Sequence, residues 1–478
     1  MTPQRPALSL PPFAGGVAPA RDLPAVIGPD GRRLTWGELQ TAVDERAEGL
    51  PRDWPESSVV ALSATSSVDL LIALLAVRSR GWVPLPLDRR LPLDARRQLA
   101  EHARAVALQT DDDRLEVDDA PLPAPAGVEL VLPTVCAGGI RRLVALTTTG
   151  VRRAVEALAT ELPVGPAPRI GVVTSLASAS GLIGQALPAL HFGGTLILAD
   201  TLDWPSAQLD VLFREGVTAL TAGPSALRRL ADAALDRPPA ERPSLTLLVT
   251  TGAPVDATTL HRVRRAFPGA RLFIRYGLTE SAGRGTCVEL DPDTHVPGRV
   301  GRPLADMEIR ISPEGRVQLR GVGVMQGYLH ARSVTAKALP ADADGFLDTP
   351  DRGRLDATGC LHVMGRTDDL VRRGDTLVSL DAVAKALGDA PGILLCHVIA
   401  APDARGGLRL VAFLVAELPA DTLLPELRRF ARARLTPAEL PSALIVLDAL
   451  PRLAEGEVDE DRLQAEARRH PVEPEPVP

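Results

Sequence analysis

The sequence predicts an α/β protein of more than one domain. A large N-terminal part holds two parallel-sheet subdomains and a small β-barrel, and a small α+β part follows. Three observations lead to this prediction. The chain has 478 residues, whereas one domain usually has about 100 to 200. Strands and helices alternate through the first half, which indicates parallel sheets. Short glycine-rich strand patterns follow, and a further set of strands and helices ends the chain.

The first parallel sheet is predicted from residues 33–88. Residues 33–39 open a helix, with Thr35 as its N-cap and Glu38 three positions later. Residues 58–63 read as a strand, 68–79 as a helix and 81–88 as a strand and turn. The apolar run at 70–77 lies beside Asp69 and Arg78, so it predicts a buried helix rather than a membrane span.

The second parallel sheet is predicted from residues 148–254. Helices are expected at 148–158 and 181–190, and strands at 169–175, 193–199 and 245–251. Between the last helix and the strand at 245, residues 217–227 read as a strand followed by a helix start. Further strands with frequent glycines, between 301 and 328, predict the small β-barrel.

Composition excludes several classes of protein. The formal net charge is −7 and no basic run stands out, which argues against a nucleic-acid-binding surface. The four cysteines are far apart, so they predict neither a disulfide framework nor a zinc site, and a reducing compartment fits. The first residues contain no apolar run of signal-peptide length. The expected location is cytoplasmic.

The most informative segment is Arg275-Tyr-Gly-Leu-Thr-Glu-Ser281, which follows a strand predicted at 271–274. It brings a flexible backbone, a hydroxyl and a carboxylate to the carboxyl end of a strand, where ligands bind in open α/β sheets. The residues alone leave an alternative open, in which Thr279 and Glu280 only cap a turn or helix.

This segment resembles the tyrosine-glycine-x-threonine-glutamate motif of the adenylate-forming superfamily, which includes acyl-CoA synthetases and the amino-acid-activating domains of peptide synthetases. The resemblance implies that Tyr276 and Gly277 lie near the adenine of AMP. It places Thr279 at the AMP phosphate and Glu280 at Mg²⁺, and further similar motifs extend it from Leu34 to Gly456.

The phosphate loop implied by the resemblance is altered. Its best register is Thr134-Val-Cys-Ala-Gly-Gly-Ile-Arg-Arg142, in which Thr134 and Gly139 match the family and Arg142 can stand in for the family's lysine. A serine and two threonines of the family loop are replaced by residues without a hydroxyl. The loop is therefore expected to hold the β- and γ-phosphates weakly, and a plain turn between two strands remains an alternative.

Three further motifs complete the implied nucleotide site. Gly252-Ala253-Pro254 resembles a turn that packs against adenine. Asp351 would accept hydrogen bonds from the ribose hydroxyls, since a carboxylate offers two acceptor oxygens. Arg366 would contact the ribose and phosphate. The alternative for Asp351 and Arg366, taken singly, is that they are surface charges.

The resemblance also divides the chain into an N-terminal AMP-binding domain at 1–367 and a mobile C-terminal domain at 368–478, with Asp368 as the hinge. Relatives carry a catalytic lysine near the C-terminus, which stabilises the negative charge of adenylation. Glu457 occupies that position here. A carboxylate there would repel both the acid and the phosphate.

Two hypotheses follow. In the first, the protein is an acid–thiol ligase that uses ATP and Mg²⁺ to convert a small carboxylic acid into an acyl-adenylate. The acyl group then passes to CoA or to the phosphopantetheine of an acyl carrier protein. In the second, it is a degenerate relative that binds an acyl group, a nucleotide or a carrier protein, or uses a preformed adenylate. A dehydrogenase fits poorly, because no G-x-G-x-x-G opens the first strand–helix unit.

Overall fold

The computed structural model describes residues 19–470 with internal gaps. The gaps are at 65, 92, 111–113, 118–120, 136–140, 166, 200–203, 254, 340–343, 367–369, 374–375, 403–407, 438 and 453–457.

The first sheet has the order β4-β3-β5-β6, with β4, β3 and β5 parallel and β6 antiparallel at the edge. The capping box predicted for the preceding helix is present, because Thr35 and Glu38 exchange side-chain-to-backbone hydrogen bonds. The elements up to this sheet are β1 (Pro24–Ile27), β2 (Arg33–Thr35), α1 (Trp36–Glu48), β3 (Val59–Leu62), α2 (Ser67–Ser79), β4 (Val83–Pro86), α3 (Leu93–His102), β5 (Ala107–Gln109) and β6 (Arg114–Glu116).

Helix α2 is buried on nearly all sides, as its uninterrupted apolar run predicted. Nine of its residues, from Val68 to Val77, are buried. No helix in the described part of the chain is long and apolar enough to cross a membrane. The burial of these nine side chains places α2 in the protein core.

The second parallel sheet forms the centre of the molecule. Strands β1, β10, β9, β11, β12 and β13 are parallel neighbours in that order. The elements from the end of the first sheet to β13 are β7 (Val128–Val135), β8 (Arg141–Thr147), α4 (Thr148–Glu156), α5 (Leu158–Glu161), β9 (Arg169–Val172), α6 (Ala179–Gly181), α7 (Leu187–His191), β10 (Thr195–Leu198), α8 (Pro205–Arg214), β11 (Ala219–Ala222), α9 (Pro224–Leu235), β12 (Leu247–Thr251), α10 (Ala257–Ala266) and β13 (Arg271–Gly277). A π-helical turn, Leu182–Ala186, joins α6 to α7.

The short glycine-rich strands belong to two different sheets. Strand β18 pairs with β8, which pairs with β7, in a separate antiparallel sheet. The other strands continue the central sheet beyond β13 in the order β14, β15, β20, β19, β17, β16, all antiparallel. These elements are β14 (Gly285–Glu289), β15 (Arg299–Pro303), β16 (Met307–Ile311), β17 (Arg316–Gly321), β18 (Gly327–Tyr328), α11 (Arg332–Ala338), β19 (Leu347–Leu355) and β20 (Leu361–Arg366).

The C-terminal part is a small α+β unit. Strand β24 pairs antiparallel with β23 and parallel with β25. Apolar residues of α12 and α13 pack on one face of this sheet, and those of α14 pack on the other. The elements are β21 (Leu370–Arg373), β22 (Thr376–Ser379), α12 (Leu380–Gly388), β23 (Ile393–Pro402), β24 (Leu408–Ala416), α13 (Ala420–Arg434), β25 (Ala443–Val446) and α14 (Glu460–Arg469).

Candidate active site

The site lies where β13 ends. Strand β13 runs three residues further than the sequence predicted, to Gly277, and a single 3₁₀ turn, Thr279–Ser281, follows it. Gly277 lies close to Gly283, which follows the 3₁₀ turn. A Cβ atom on residue 277 would lie 2.5 Å from the carbonyl carbon and oxygen of Gly283. The next element among the described residues is a strand, Gly285–Glu289, so Thr279 and Glu280 lie in a turn and do not cap a longer helix.

Asp351 and Arg366 lie opposite each other on the neighbouring strands β19 and β20. The Tyr276 hydroxyl donates to Asp351 Oδ2 at 2.6 Å, and Arg366 Nη1 lies 3.9 Å from Asp351 Oδ1. Thr349 adds support, because its hydroxyl accepts from the Asp351 backbone N–H at 3.2 Å. Asp351 is only 5% exposed, so it is a buried, oriented carboxylate rather than a surface charge.

Tyr276 is a neutral hydrogen-bond donor in this arrangement. Burial and the negative charge of Asp351 raise the pKa of Tyr276 well above its ordinary value. Its hydroxyl therefore keeps its proton and holds one oxygen of Asp351. The other oxygen faces Arg366, where a sugar hydroxyl could donate to it.

Glu280 is the second buried carboxylate of the site. It accepts a hydrogen bond from the Tyr328 hydroxyl at 2.9 Å through Oε1. Burial raises the pKa of the Glu280 carboxyl, whereas the Tyr328 hydrogen bond and the charges of Arg366 and Arg142 act in the opposite direction. The charge of Arg366 thus acts to lower both the pKa of the Glu280 carboxyl and that of the Tyr276 hydroxyl.

The predicted phosphate loop connects two paired strands. Thr134 on β7 is the cross-strand partner of Arg142 on β8, and Val135 pairs with Arg141. The Arg142 guanidinium lies 5.2 Å from the ring centroid of Tyr328, whose hydroxyl contacts Glu280. Gly139 lies outside the described residues. The hairpin fits both the phosphate loop and the plain turn that the sequence left open.

The predicted adenine turn reaches the same edge of the sheet. Thr251, the last residue of β12, is the cross-strand partner of Arg275, which precedes Tyr276. Gly252 and Ala253 follow it and are exposed, and Gly252 has a φ of 89°. Pro254 lies outside the described residues, as do the predicted hinge residue Asp368 and Glu457.

The C-terminal unit contacts the N-terminal part at α9, where Arg228 Nη2 donates to the Leu394 carbonyl oxygen at 3.1 Å. The domain boundary at 367/368 falls on residues that are not described and stays a prediction.

The donor set fits Mg²⁺ only together with a phosphate ligand. The described residues contain no group of three or more His, Cys, Asp or Glu side chains that could hold a metal ion. Mg²⁺ is often bound by one or two carboxylates, water and substrate phosphates rather than by a protein cage. Glu280, with Arg142 and Arg366 acting on it, fits that mode.

Sequence reasoning missed Tyr328 and Thr349 as parts of the site. The segment 324–328 resembles a family motif and predicts a strand of the small β-barrel, but the resemblance gives Tyr328 no role at the site. One signal was available: the chain has two tyrosines, and one of them already belonged to the adenylate motif.

Comparison with known families agrees with this geometry. A family model described as AMP-binding enzyme matches residues 15–137 and 139–329, and a model of the AMP-binding enzyme C-terminal domain matches 382–457. The chain belongs to the AMP-binding enzyme family. Its predicted membership of the adenylate-forming superfamily is thereby confirmed, and the second family match ends at Glu457.

Curated members of the AMP-binding enzyme family resemble the chain over different lengths. Chondramide synthase of Chondromyces crocatus is 30% identical over 83% of this chain, which corresponds to 11% of that protein. The 3-[(3aS,4S,7aS)-7a-methyl-1,5-dioxo-octahydro-1H-inden-4-yl]propanoyl:CoA ligase of Mycobacterium tuberculosis is 34% identical over 58% of this chain and 54% of its own. Triostin synthetase I of Streptomyces triostinicus is 28% identical over 91% of this chain and 90% of its own. The chain thus spans about half or less of the first two relatives.

Structures of AMP-binding enzymes confirm the predicted fold class. ATP-bound MatB from Rhodopseudomonas palustris superposes with a TM-score of 0.79 at 22% identity, covering 95% of this chain and 97% of its own. The o-succinylbenzoate CoA synthetase of Bacillus subtilis, in complex with an acyl-adenylate, gives 0.77 at 22% identity, covering 93% and 95%. At this identity the likeness shows the fold alone.

Proposed function

We propose that the protein converts a carboxylic acid and ATP into an acyl-adenylate and pyrophosphate. The acyl group then passes to a thiol, with cleavage of its bond to the phosphate oxygen and release of AMP. One observation carries the proposal. The buried carboxylate Asp351 is held by Tyr276 and faced by Arg366, and the charge of Arg366 also acts on the second buried carboxylate, Glu280. Asp351 can accept hydrogen bonds from the sugar hydroxyls of a nucleotide, and Glu280 can bind the Mg²⁺ that accompanies its phosphates.

Each residue has a defined task in this reaction. Asp351 accepts from the ribose hydroxyls, and Arg366 contacts the ribose and phosphate. Thr279 donates to the α-phosphate, and Arg142 faces the phosphates beyond it. A carboxylate oxygen of the acid forms a bond to the α-phosphorus while the bond to pyrophosphate breaks. Mg²⁺, held by Glu280 and ATP, would neutralise the charge that develops on the phosphate oxygens. Structures of family members with ATP, and with ATP and magnesium, support these ligands.

The acceptor is a thiol of CoA or of a carrier-protein phosphopantetheine. Named relatives support both acceptors, since they include CoA ligases and peptide synthetases. The transfer step would use the two-domain division at 1–367 and 368–478, with rotation about Asp368 between the two half-reactions.

A second candidate function is binding or use of a preformed adenylate without efficient adenylation. Glu457 at the lysine position and the loss of loop hydroxyls favour it. Removal of one preorganised donor commonly lowers a rate by about two to three orders of magnitude. A reversed charge at 457 is expected to lower it at least as much.

Acid-dependent exchange of labelled pyrophosphate into ATP distinguishes the two candidates, with calorimetric AMP binding measured beside it. Exchange above the acid-free background supports adenylation. AMP binding without exchange supports the second candidate, in which case Glu457→Lys should raise exchange at least tenfold. The matched control is Glu426→Lys, which makes the same charge change at an exposed position of α13. Absence of AMP binding in calorimetry contradicts both candidates.

A further inference from the structure

The two tyrosines of this 478-residue chain each hold one of the two buried carboxylates of the site. Tyr276 donates to Asp351 at 2.6 Å and Tyr328 donates to Glu280 at 2.9 Å. Tyr276 belongs to the adenylate motif itself. Tyr328 lies 48 residues beyond Glu280 and has no role in the proposed function so far.

Tyr328 is fixed in place by backbone hydrogen bonds on both sides. The Met325 N–H donates to the Glu280 carbonyl oxygen at 2.7 Å, which ties the segment to the catalytic turn. On the other side, Tyr328 is the cross-strand partner of Val144 on β8, and the Leu329 N–H donates to the Leu143 carbonyl oxygen at 2.7 Å. The segment 325–329 therefore bridges the Glu280 turn and the strand that carries Arg142.

The two ends of the Tyr328 side chain make different contacts. Its hydroxyl meets Glu280 Oε1, and its ring faces the Arg142 guanidinium at 5.2 Å, within the range of a cation–π interaction. Tyr328 is only 8% exposed, so it is in a fixed orientation. The Tyr328 side chain thus contacts both Glu280, the carboxylate proposed to bind Mg²⁺, and Arg142, the cation proposed to face the phosphates.

We propose that Tyr328 is a positioning residue for Mg²⁺: its hydroxyl occupies Glu280 Oε1 and leaves Oε2 to meet the metal that enters with ATP. The inference rests on the proposed function. Groups that orient a metal-binding side chain typically change metal affinity by about 10- to 100-fold when they are removed. The hydroxyl of Tyr328 is expected to act on the metal and not on AMP, because AMP is held through Asp351.

Tyr328→Phe tests this, since it removes the hydroxyl and keeps the ring over Arg142. The matched control is Tyr276→Phe, which removes the other hydroxyl. Mn²⁺ binding to protein saturated with a non-hydrolysable ATP analogue is followed by electron paramagnetic resonance, and AMP binding is measured by calorimetry in EDTA. Tyr328→Phe should weaken Mn²⁺ binding at least tenfold and change AMP affinity less than twofold. Tyr276→Phe should weaken AMP binding and change Mn²⁺ affinity less than twofold.

A double-mutant cycle with Glu280→Gln makes the test independent of small folding effects. If Tyr328 acts through the Glu280 carboxylate, Tyr328→Phe should have no further effect on Mn²⁺ binding in the Glu280→Gln background. Mn²⁺ curves of Tyr328→Phe that superpose on those of the unaltered protein would overturn the inference alone. Equal losses of Mn²⁺ and AMP affinity in Tyr328→Phe would also overturn it. The same holds if the effects of Tyr328→Phe and Glu280→Gln on Mn²⁺ binding are additive. If the unaltered protein binds no AMP, the proposed function fails and this inference with it.

Discussion

Arg284 Nη2 donates to Glu161 Oε1 at 2.7 Å, although the Arg284 side chain is only 1% exposed. The same Nη2 also donates to Asp306. Arg284, which lies shortly after the turn that contains Glu280, is therefore linked to α5 and to the loop between β15 and β16. Arg275, which precedes Tyr276, lies 3.9 Å from Glu161 Oε2. The motif that carries the site is thus bounded on both sides by buried arginines.

Arg284→Met is expected to destabilise the fold strongly. Removing one partner of a buried ion pair leaves the other charge uncompensated, which typically costs about 3 to 5 kcal/mol. The lower end is expected, because Met also removes two buried nitrogen atoms, Nε and Nη1, that have no hydrogen-bond partner among the described residues. Urea unfolding followed by circular dichroism measures the change.

The control for Arg284→Met is Arg271→Met on the same segment. Arg271 and Glu289 form an ion pair in which both side chains are about half exposed. Such pairs contribute about 0 to 1 kcal/mol. Equal destabilisation by the two substitutions would show that burial of the Arg284 pair has no special effect on stability.

Asp351→Asn is expected to weaken AMP binding by roughly 10- to 100-fold, because hydrogen bonds to charged groups contribute about 1.5 to 3 kcal/mol. The shape of the side chain is kept, and only its charge and one acceptor are lost. Calorimetry with AMP and with 2′,3′-dideoxy-AMP provides the measurement. The unaltered protein should prefer AMP, and the variant should lose most of that preference.

Asp348→Asn controls for charge on the same strand. Asp348 is paired with Arg316 at 2.8 Å, and its side chain is 11% exposed. Its substitution should leave the preference for AMP over the dideoxy compound unchanged. A variant of Asp351 that still discriminates between the two ligands as the unaltered protein does would contradict the assignment of Asp351 to the ribose.

Gly277→Ala should be much more harmful than an alanine at an ordinary turn glycine. The new Cβ would lie 2.5 Å from backbone atoms of Gly283, so the strand or the returning chain must move. We expect a loss of about 2 to 3 kcal/mol in unfolding free energy, at the upper end of overpacking costs, together with weaker AMP binding. Gly31→Ala is the control, since Gly31 has a φ of 83° but no neighbouring atom within 4 Å. Gly31→Ala should lower the free energy of unfolding by only about 1 kcal/mol. A similar loss of stability in the two variants would contradict the steric explanation for Gly277.

Local elements could be predicted because their causes are local. The capping box of Thr35 and Glu38 spans three residues, and the buried helix α2 is visible as one apolar run. The motif at Tyr276 predicts the candidate site, although the hydrogen bond from Tyr276 to Asp351 spans 75 residues. The small number of tyrosines draws attention to Tyr328, but it does not show that Tyr328 contacts Glu280. That contact depends on the pairing of β18 with β8, which hydrophobic periodicity does not report.

Cys287 gives a prediction about pH. Burial raises the pKa of the Cys287 thiol to about 11, while the positive charge of Arg275 acts to lower it. Only the thiolate reacts with alkylating and thiosulfonate reagents. In the folded protein the reaction rate of Cys287 should therefore keep rising about tenfold per pH unit up to pH 10. In urea, where the thiol has its ordinary pKa near 8.5, the rate should level off.

Peptide mapping after brief treatment with methyl methanethiosulfonate, between pH 7 and 10, resolves Cys287 from the other cysteines. Arg275→Met should slow the reaction of Cys287 further, because it removes the charge that stabilises the thiolate. Cys396 is the internal control, since burial alone raises its pKa, to about 12, and Arg275 does not act on it. A rate for Cys287 that levels off near pH 9 in the folded protein would contradict the raised pKa. An unchanged rate in Arg275→Met would contradict the role of the arginine.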